Sequence, residues 1–195
     1  TALIETGTVH MDEPETKVVF DTAAGLVTVV ADCSGGQVNR LSVAMPPAFV
    51  DRIGATIDTV DFGTVTYDLC FGGMYFAIID AHQLGLNIVP EKAADLARSG
   101  VALRNRIAET IRVQHPEIAD YNTLTHVMFI SEQDDGSVLT CTTMRPGRVD
   151  RSACGTGSAA LAALRIAQGR NRVHDTLITR SIIGSEFRTH IMGKT

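Results

Sequence analysis

The sequence predicts an α+β protein in which two sheets of short strands wrap around buried helices. Three observations carry this. Short apolar or β-branched runs, such as Leu26 to Asp32, Thr125 to Ser131 and Ser137 to Met144, are separated by glycine and proline turn signals. Long helical patterns are few. One of them, Ser158 to Gln168, is apolar on nearly every side, and a helix with so few polar positions is normally buried.

Taken in order, Thr1 to Glu5 reads as a helix tail closed by Gly7, with no N-terminal cap before it. Lys17 to Phe20 and Leu26 to Asp32 read as strands joined by a turn near Ala24-Gly25. Ser34-Gly35-Gly36-Gln37 is a hairpin turn into Val38 to Met45, which Pro46-Pro47 ends. Ile57 to Val60 and Thr64 to Leu69 are short strands around Gly63, and the run from Phe71 to Ile79 is a buried strand after a glycine pair. Behind Pro90, Glu91 to Ser99 begins a helix. Ala102 to Arg112 reads as a second one, with Ile107 and Ile111 on one face and His115-Pro116 as its breaker. Thr125 to Ser131 and Ser137 to Met144 form a hairpin whose turn, Gln133-Asp134-Asp135-Gly136, reads as solvated. Leu177 to Thr179 and Phe187 to Met192 are strand-like.

The chemistry concentrates between Val149 and Ser158, a strand end followed by a tight turn and the start of the apolar helix. Gly155 and Gly157 let a backbone approach a ligand closely, and Gly169 stands where a helix C-cap glycine belongs. A first helical turn presents free N–H groups and the positive end of the macrodipole, which suits a small carboxylate or phosphate. The same field favours thiolate over thiol at Cys154. The plain alternative is a small buried cysteine beside an ordinary glycine turn, and Asp150-Arg151 together with the Ala-rich helix tip the reading towards a site.

The composition excludes several classes. A net charge of -5 without a Lys/Arg cluster argues against nucleic acid as a partner. No stretch approaches the roughly 18 apolar residues of a membrane span. Cys33, Cys70, Cys141 and Cys154 lie far apart, without the spacing of a zinc site or a disulfide framework, so reduced thiols in a cytoplasmic protein are expected. His10, His82, His115, His174 and His190 show no metal-ligand spacing, and no metal is expected.

Asp150-Arg151-Ser152-Ala153-Cys154-Gly155-Thr156-Gly157 resembles the second cysteine motif of the proline racemase family, which includes proline racemases, 4-hydroxyproline 2-epimerases and 3-hydroxyproline dehydratases. Leu3-Ile4-Glu5-Thr6-Gly7, Asp21-Thr22-Ala23-Ala24-Gly25, Phe71-Gly72-Gly73 and Ser181-Ile182-Ile183-Gly184 fall in the family's order, so the likeness covers essentially the whole chain. One departure is Met74, where relatives usually carry Asn. The resemblance implies a diaminopimelate-epimerase-like fold, with two similar halves of antiparallel sheet around buried central helices. It assigns residues 1–80 to the remainder of the N-terminal half and residues 81–195 to the C-terminal half. It also implies a first cysteine motif, Met-Cys-Gly-His-Gly-Thr, upstream of Thr1, and relatives that continue beyond Thr195, so the chain reads as a fragment.

Removing the α-proton of an amino acid without metal or pyridoxal needs a neutralised carboxylate, a base on one face of Cα and an acid on the other. Helix N–H groups suit the first task and cysteine, with a pKa of about 8.5, suits the other two. The resemblance implies Cys154 as one of two opposed cysteines, Asp150 as the residue that holds the substrate's ring nitrogen, and Gly155 and Thr156 as backbone donors to the carboxylate. It makes His126 a residue lining the pocket. The plain alternative for Asp150-Arg151 is a turn pair, over which the binding reading is preferred, while His126 alone on an apolar strand is equally a core histidine. Cys70 reads as inert, and Cys33 and Cys141 as packing.

The expected function is a cofactor-independent racemase or epimerase acting on proline or 4-hydroxyproline, with a homodimer implied by the family. Two alternatives stay open: a trans-3-hydroxy-L-proline dehydratase, and a catalytically incomplete piece that keeps a substrate-binding pocket.

Overall fold

The computed structural model describes residues 1–22 and 25–193. The turn expected near Ala24-Gly25 falls partly on residues 23–24, outside them. Two compact units divide the chain, Thr1–Pro46 and Pro47–Thr195. The boundary expected at residues 80/81 lies within the second unit.

The first unit opens with a short helix, α1 (Ala2–Glu5), and continues as an antiparallel meander of β1 (Glu15–Thr22), β2 (Gly25–Ser34) and β3 (Gln37–Val43). Gly35 and Gly36 both take positive φ in the two-residue turn between β2 and β3, which glycine adopts without the Cβ clash. Ile4, Ala31 and Cys33 form its small core.

The second unit is built on one eight-stranded sheet. Its strands are β4 (Phe49–Thr59), β5 (Gly63–Phe71), β6 (Tyr75–Asp80), β7 (Leu124–Glu132), β8 (Val138–Met144), β9 (Arg148–Val149), β10 (Thr176–Ser181) and β11 (Glu186–His190). They run in the order β11-β10-β8-β7-β6-β5-β4, with β9 paired to β8. Most neighbours are antiparallel hairpins, as expected. The pairs β6/β7 and β8/β10 are parallel, because each is joined by a helical crossover rather than a turn.

Those crossovers are α2 (Ala93–Thr110) and α3 (Gly155–Ala167). Strand alternation sorts their contacts onto opposite faces. Val127, Phe129 and Cys141 pack in one core with Leu96, Leu103 and Ile107 of α2. Phe76, Ile78 and Met128 pack in another with Leu161 and Leu164 of α3. The small side chains of α3 are what allow close seating: Gly157, Ser158, Ala159, Ala160 and Ala162 are all buried.

Two sequence expectations change. The helices read as Glu91 to Ser99 and Ala102 to Arg112 are one continuous helix, preceded by a 3-10 turn at Pro90–Lys92. Gly100 is present for packing, not as a breaker, since a Cβ there would stand 1.9 Å from Thr143 Oγ1. The acidic hairpin turn is more than solvated. Asp135 accepts hydrogen bonds from the backbone N–H and hydroxyl of Ser137, at 3.0 and 2.5 Å, and from Arg180 at 2.7 Å. Arg180 lies on β10, so the turn is tied to the neighbouring parallel strand.

Candidate active site

β9 folds back along β8, with Val149 opposite Thr143 and Arg148 opposite Met144. The next residue, Asp150, donates its N–H to the Thr142 carbonyl at 2.8 Å. Its carboxylate Oδ1 accepts the Ser152 N–H at 2.8 Å, and the Ser152 hydroxyl accepts the Cys154 N–H at 3.1 Å. Two successive side-chain-to-backbone bonds, the Asx and Ser turns that such residues favour, therefore carry the chain from the strand end to Cys154.

Cys154 is the N-cap residue of α3 and adopts φ 60, ψ 102. A non-glycine residue at positive φ carries a cost of about 1–3 kcal/mol and persists where its surroundings over-determine it. Here its N–H is held by Ser152, and its carbonyl accepts the Ser158 N–H at 2.7 Å. Ser158 in turn donates its hydroxyl to the Ala153 carbonyl at 3.0 Å and shares a 2.8 Å hydroxyl–hydroxyl bond with Thr179. The strained corner is thus pinned from both sides.

The Cys154 side chain is 8% exposed. Its Sγ lies 3.7 Å from Thr156 Oγ1 and accepts from the Gly157 N–H. Gly157 is required by close approach: a Cβ there would meet Met128 Cε at 2.2 Å and Cys154 Sγ at 3.2 Å. Burial pushes the Cys154 thiol above its ordinary pKa, and Asp150 adds to this, while Thr156, Gly157 and Thr142 pull it down. The sequence expectation that the helix start makes thiolate the favoured form is therefore reversed in this chain. The three donors offset only part of the desolvation that enclosure imposes.

Gly155 is half-buried, and a Cβ on it would have only the Phe187 ring as a neighbour, at 4.0 Å. The Gly155 and Thr156 N–H groups belong to the first turn of α3, where backbone donors lack intrahelical partners. Asp150 lines a cleft with Arg148, Arg151, Ile183 and Ser185. His126 stands on the α3 face of the sheet, its ring stacked on Phe76 at 5.0 Å and its Nδ1 2.7 Å from Thr125 Oγ1. Burial lowers the His126 pKa, and Asp150 acts in the opposite direction. The structure accordingly brings Asp150, Cys154, Gly155 and Thr156 into one turn and sets His126 within electrostatic reach of Asp150.

Of the other cysteines, Cys70 shares the α3-side core with Cys154, Cys141 lies in the α2-side core and Cys33 in the first unit. Burial and Asp68 push Cys70 far up, and burial and Asp150 push Cys141 up to about 12, so both remain thiols near neutrality. Among the described residues no group of three or more His, Cys, Asp or Glu side chains is placed to hold a metal ion, and no helix is long and apolar enough to cross a membrane. Sequence reading missed Ser152 and Thr142. Ser152 was visible as a turn residue after Asp150. Thr142 had no local signal, since it reaches Cys154 only through strand pairing.

The family model for proline racemase matches residues 1–195. The chain is 46% identical to a 4-hydroxyproline 2-epimerase of Allorhizobium ampelinum, over all of this chain and 56% of that protein. Among solved structures, a hydroxyproline epimerase from Agrobacterium vitis with bound trans-4-hydroxy-L-proline superposes with a TM-score of 0.95 at 46% identity, over 100% of this chain and 57% of that one. A probable proline racemase from Agrobacterium radiobacter, with bound carbonate, superposes with the same TM-score of 0.95 at 45% identity, over 100% of this chain and 57% of that one. The chain therefore spans somewhat over half the length of the relatives it matches.

Proposed function

Because the chain belongs to the proline racemase family, we propose that it supplies one half of a cofactor-independent site that inverts Cα of 4-hydroxyproline or proline. The observation that carries this reading is Cys154 held at the N-cap of α3, with the Gly155 and Thr156 N–H groups beside it. In this reading the substrate carboxylate sits on those N–H groups, which are preorganised for the charge that develops on it. Asp150, at the start of the same turn, takes the ring ammonium, and His126 lines the pocket.

The Cys154 thiolate removes the Cα proton and becomes a thiol, and the C–H electron pair moves into the carboxylate as an enediolate. A second cysteine thiol on the opposite face gives its proton to Cα and becomes the thiolate. The two sulfurs exchange protonation states in each turnover, so their titrations are coupled. The raised Cys154 pKa fits a group that must act as acid in one direction and as base in the other. The similarity to a 4-hydroxyproline 2-epimerase and a hydroxyproline epimerase favours this reading over 3-hydroxyproline dehydratase.

The test follows the α-proton of trans-4-hydroxy-L-proline, L-proline and trans-3-hydroxy-L-proline by proton NMR in D₂O, with Cys154→Ala alongside. Loss of the α-proton signal that is absent in Cys154→Ala is the expected result, and the epimer appears with it only where a second cysteine completes the site. No exchange with any of the three substrates overturns the reading. Exchange that survives Cys154→Ala overturns the role given to this cysteine.

A further inference from the structure

Thr142 stands out among the groups that bear on Cys154, because its buried hydroxyl has no hydrogen-bond partner in the resting structure. Its side chain is 1% exposed, and its Oγ1 makes no conventional hydrogen bond. A buried hydroxyl without a partner costs about 1–3 kcal/mol, so its retention calls for a reason. The strand explains where it points. Thr142 pairs with Met128, and Met128 Cε lies against Gly157 of α3. Alternation turns Cys141 and Thr143 to the α2 side and leaves Thr142 on the face beneath the α3 N-terminus. The Thr142 carbonyl meanwhile holds the Asp150 N–H at 2.8 Å, where the turn that leads to Cys154 begins.

We propose that Thr142 is a positioning residue for Cys154: its orphan hydroxyl is the donor that swings onto Sγ when the sulfur carries charge. The inference rests on the reading of Cys154 as the acid/base group. A hydroxyl donating to a thiolate makes a charge-assisted bond, roughly twice as strong as one to a neutral thiol. The group therefore contributes little to the resting thiol and much to the base form. The other groups that bear on Sγ are Thr156 and Gly157, which also donate, and Asp150, whose charge opposes ionisation; His126 stands near Asp150. Among these, Thr142 is the one fixed by the sheet instead of by the turn, so it holds the sulfur against a rigid support.

The test reads the sulfur directly. Protein carrying ¹³C at cysteine Cβ is titrated by NMR, with the Cys154 resonance assigned by its loss in Cys154→Ser. Thr142→Val, nearly isosteric, raises the Cys154 midpoint by about half to one pH unit, and Thr142→Ser returns it close to wild type. Should Thr142→Val fail to fold, Thr142→Ala serves in its place. A midpoint that moves by less than about 0.2 unit in a folded variant, or a wild-type Cys154 that stays a thiol to about pH 10, overturns the proposal. No substrate is involved, so the result stands apart from the α-proton experiment. That experiment can fail while Thr142 still tunes the sulfur, and the reverse also holds.

Discussion

Gly72 and Thr156 meet backbone to backbone: a Cβ built on Gly72 would stand 2.1 Å from the Thr156 carbonyl oxygen and 2.5 Å from Ala160 N. The turn between β5 and β6 thus sits directly on the first turns of α3, and the absence of a side chain at residue 72 sets how deep the helix start is seated. The atoms that would be hit are backbone, so no rotamer change relieves the clash.

Gly72→Ala is accordingly expected to displace α3 and to lower stability by about 1–3 kcal/mol, as overpacking of a close contact does. In a chain of this size that is a drop in Tm of roughly 2–4 °C for each kcal/mol. Because Cys154 begins the same helix, α-proton exchange falls together with Tm. Thermal unfolding and the NMR exchange assay on one preparation check both. A variant that keeps its Tm and its exchange rate contradicts the seating argument.

Gly100 offers a test with the opposite sign from the usual rule. In an exposed helix interior, Gly→Ala stabilises by about 1 kcal/mol. Here the new methyl would meet Thr143 Oγ1 at 1.9 Å and Thr143 Cβ at 2.6 Å, so Gly100→Ala destabilises. Thr143 also donates its hydroxyl to the Val127 carbonyl at 3.1 Å, which limits how it can turn away. Combining Gly100→Ala with Thr143→Ala recovers part of the loss, and a double-mutant cycle from chemical denaturation measures the coupling. Simple additivity would show that the two residues do not compete for space.

Asp135 links pH to stability. The Ser137 hydroxyl, Arg180 and the Ser137 N–H together hold its carboxyl down to about 2, against an ordinary value of 3.8. A depressed carboxylate stabilises the fold above its unfolded pKa and loses that contribution as pH falls through the folded value. The wild-type Tm therefore drops between about pH 4 and pH 2 more steeply than that of Asp135→Asn, which has no charge to lose there. Melting curves across this range decide it, and parallel curves would remove Asp135 from the account.

Much of this protein follows from the chain taken locally. Turn glycines and strand runs place the hairpins, because their φ requirements and side-chain alternation act over a few residues. The segment Asp150 to Thr156 is legible as a candidate site for the same reason: an Asx turn, a helix start and a cysteine all lie within one loop and need no distant partner. The uninterrupted helix through Gly100, the two parallel strand pairs and the tie between Asp135 and Arg180 are decided by what packs from elsewhere, and local pattern carries no trace of that. The ionisation of Cys154 divides along the same line. The sequence alone supplies the helix N-terminus that favours a thiolate. Only the tertiary structure supplies the enclosure that disfavours one, and strand pairing sets the buried Thr142 on the α3 face of the sheet, because desolvation and cross-strand contacts exist only once the sheet has closed over the helix.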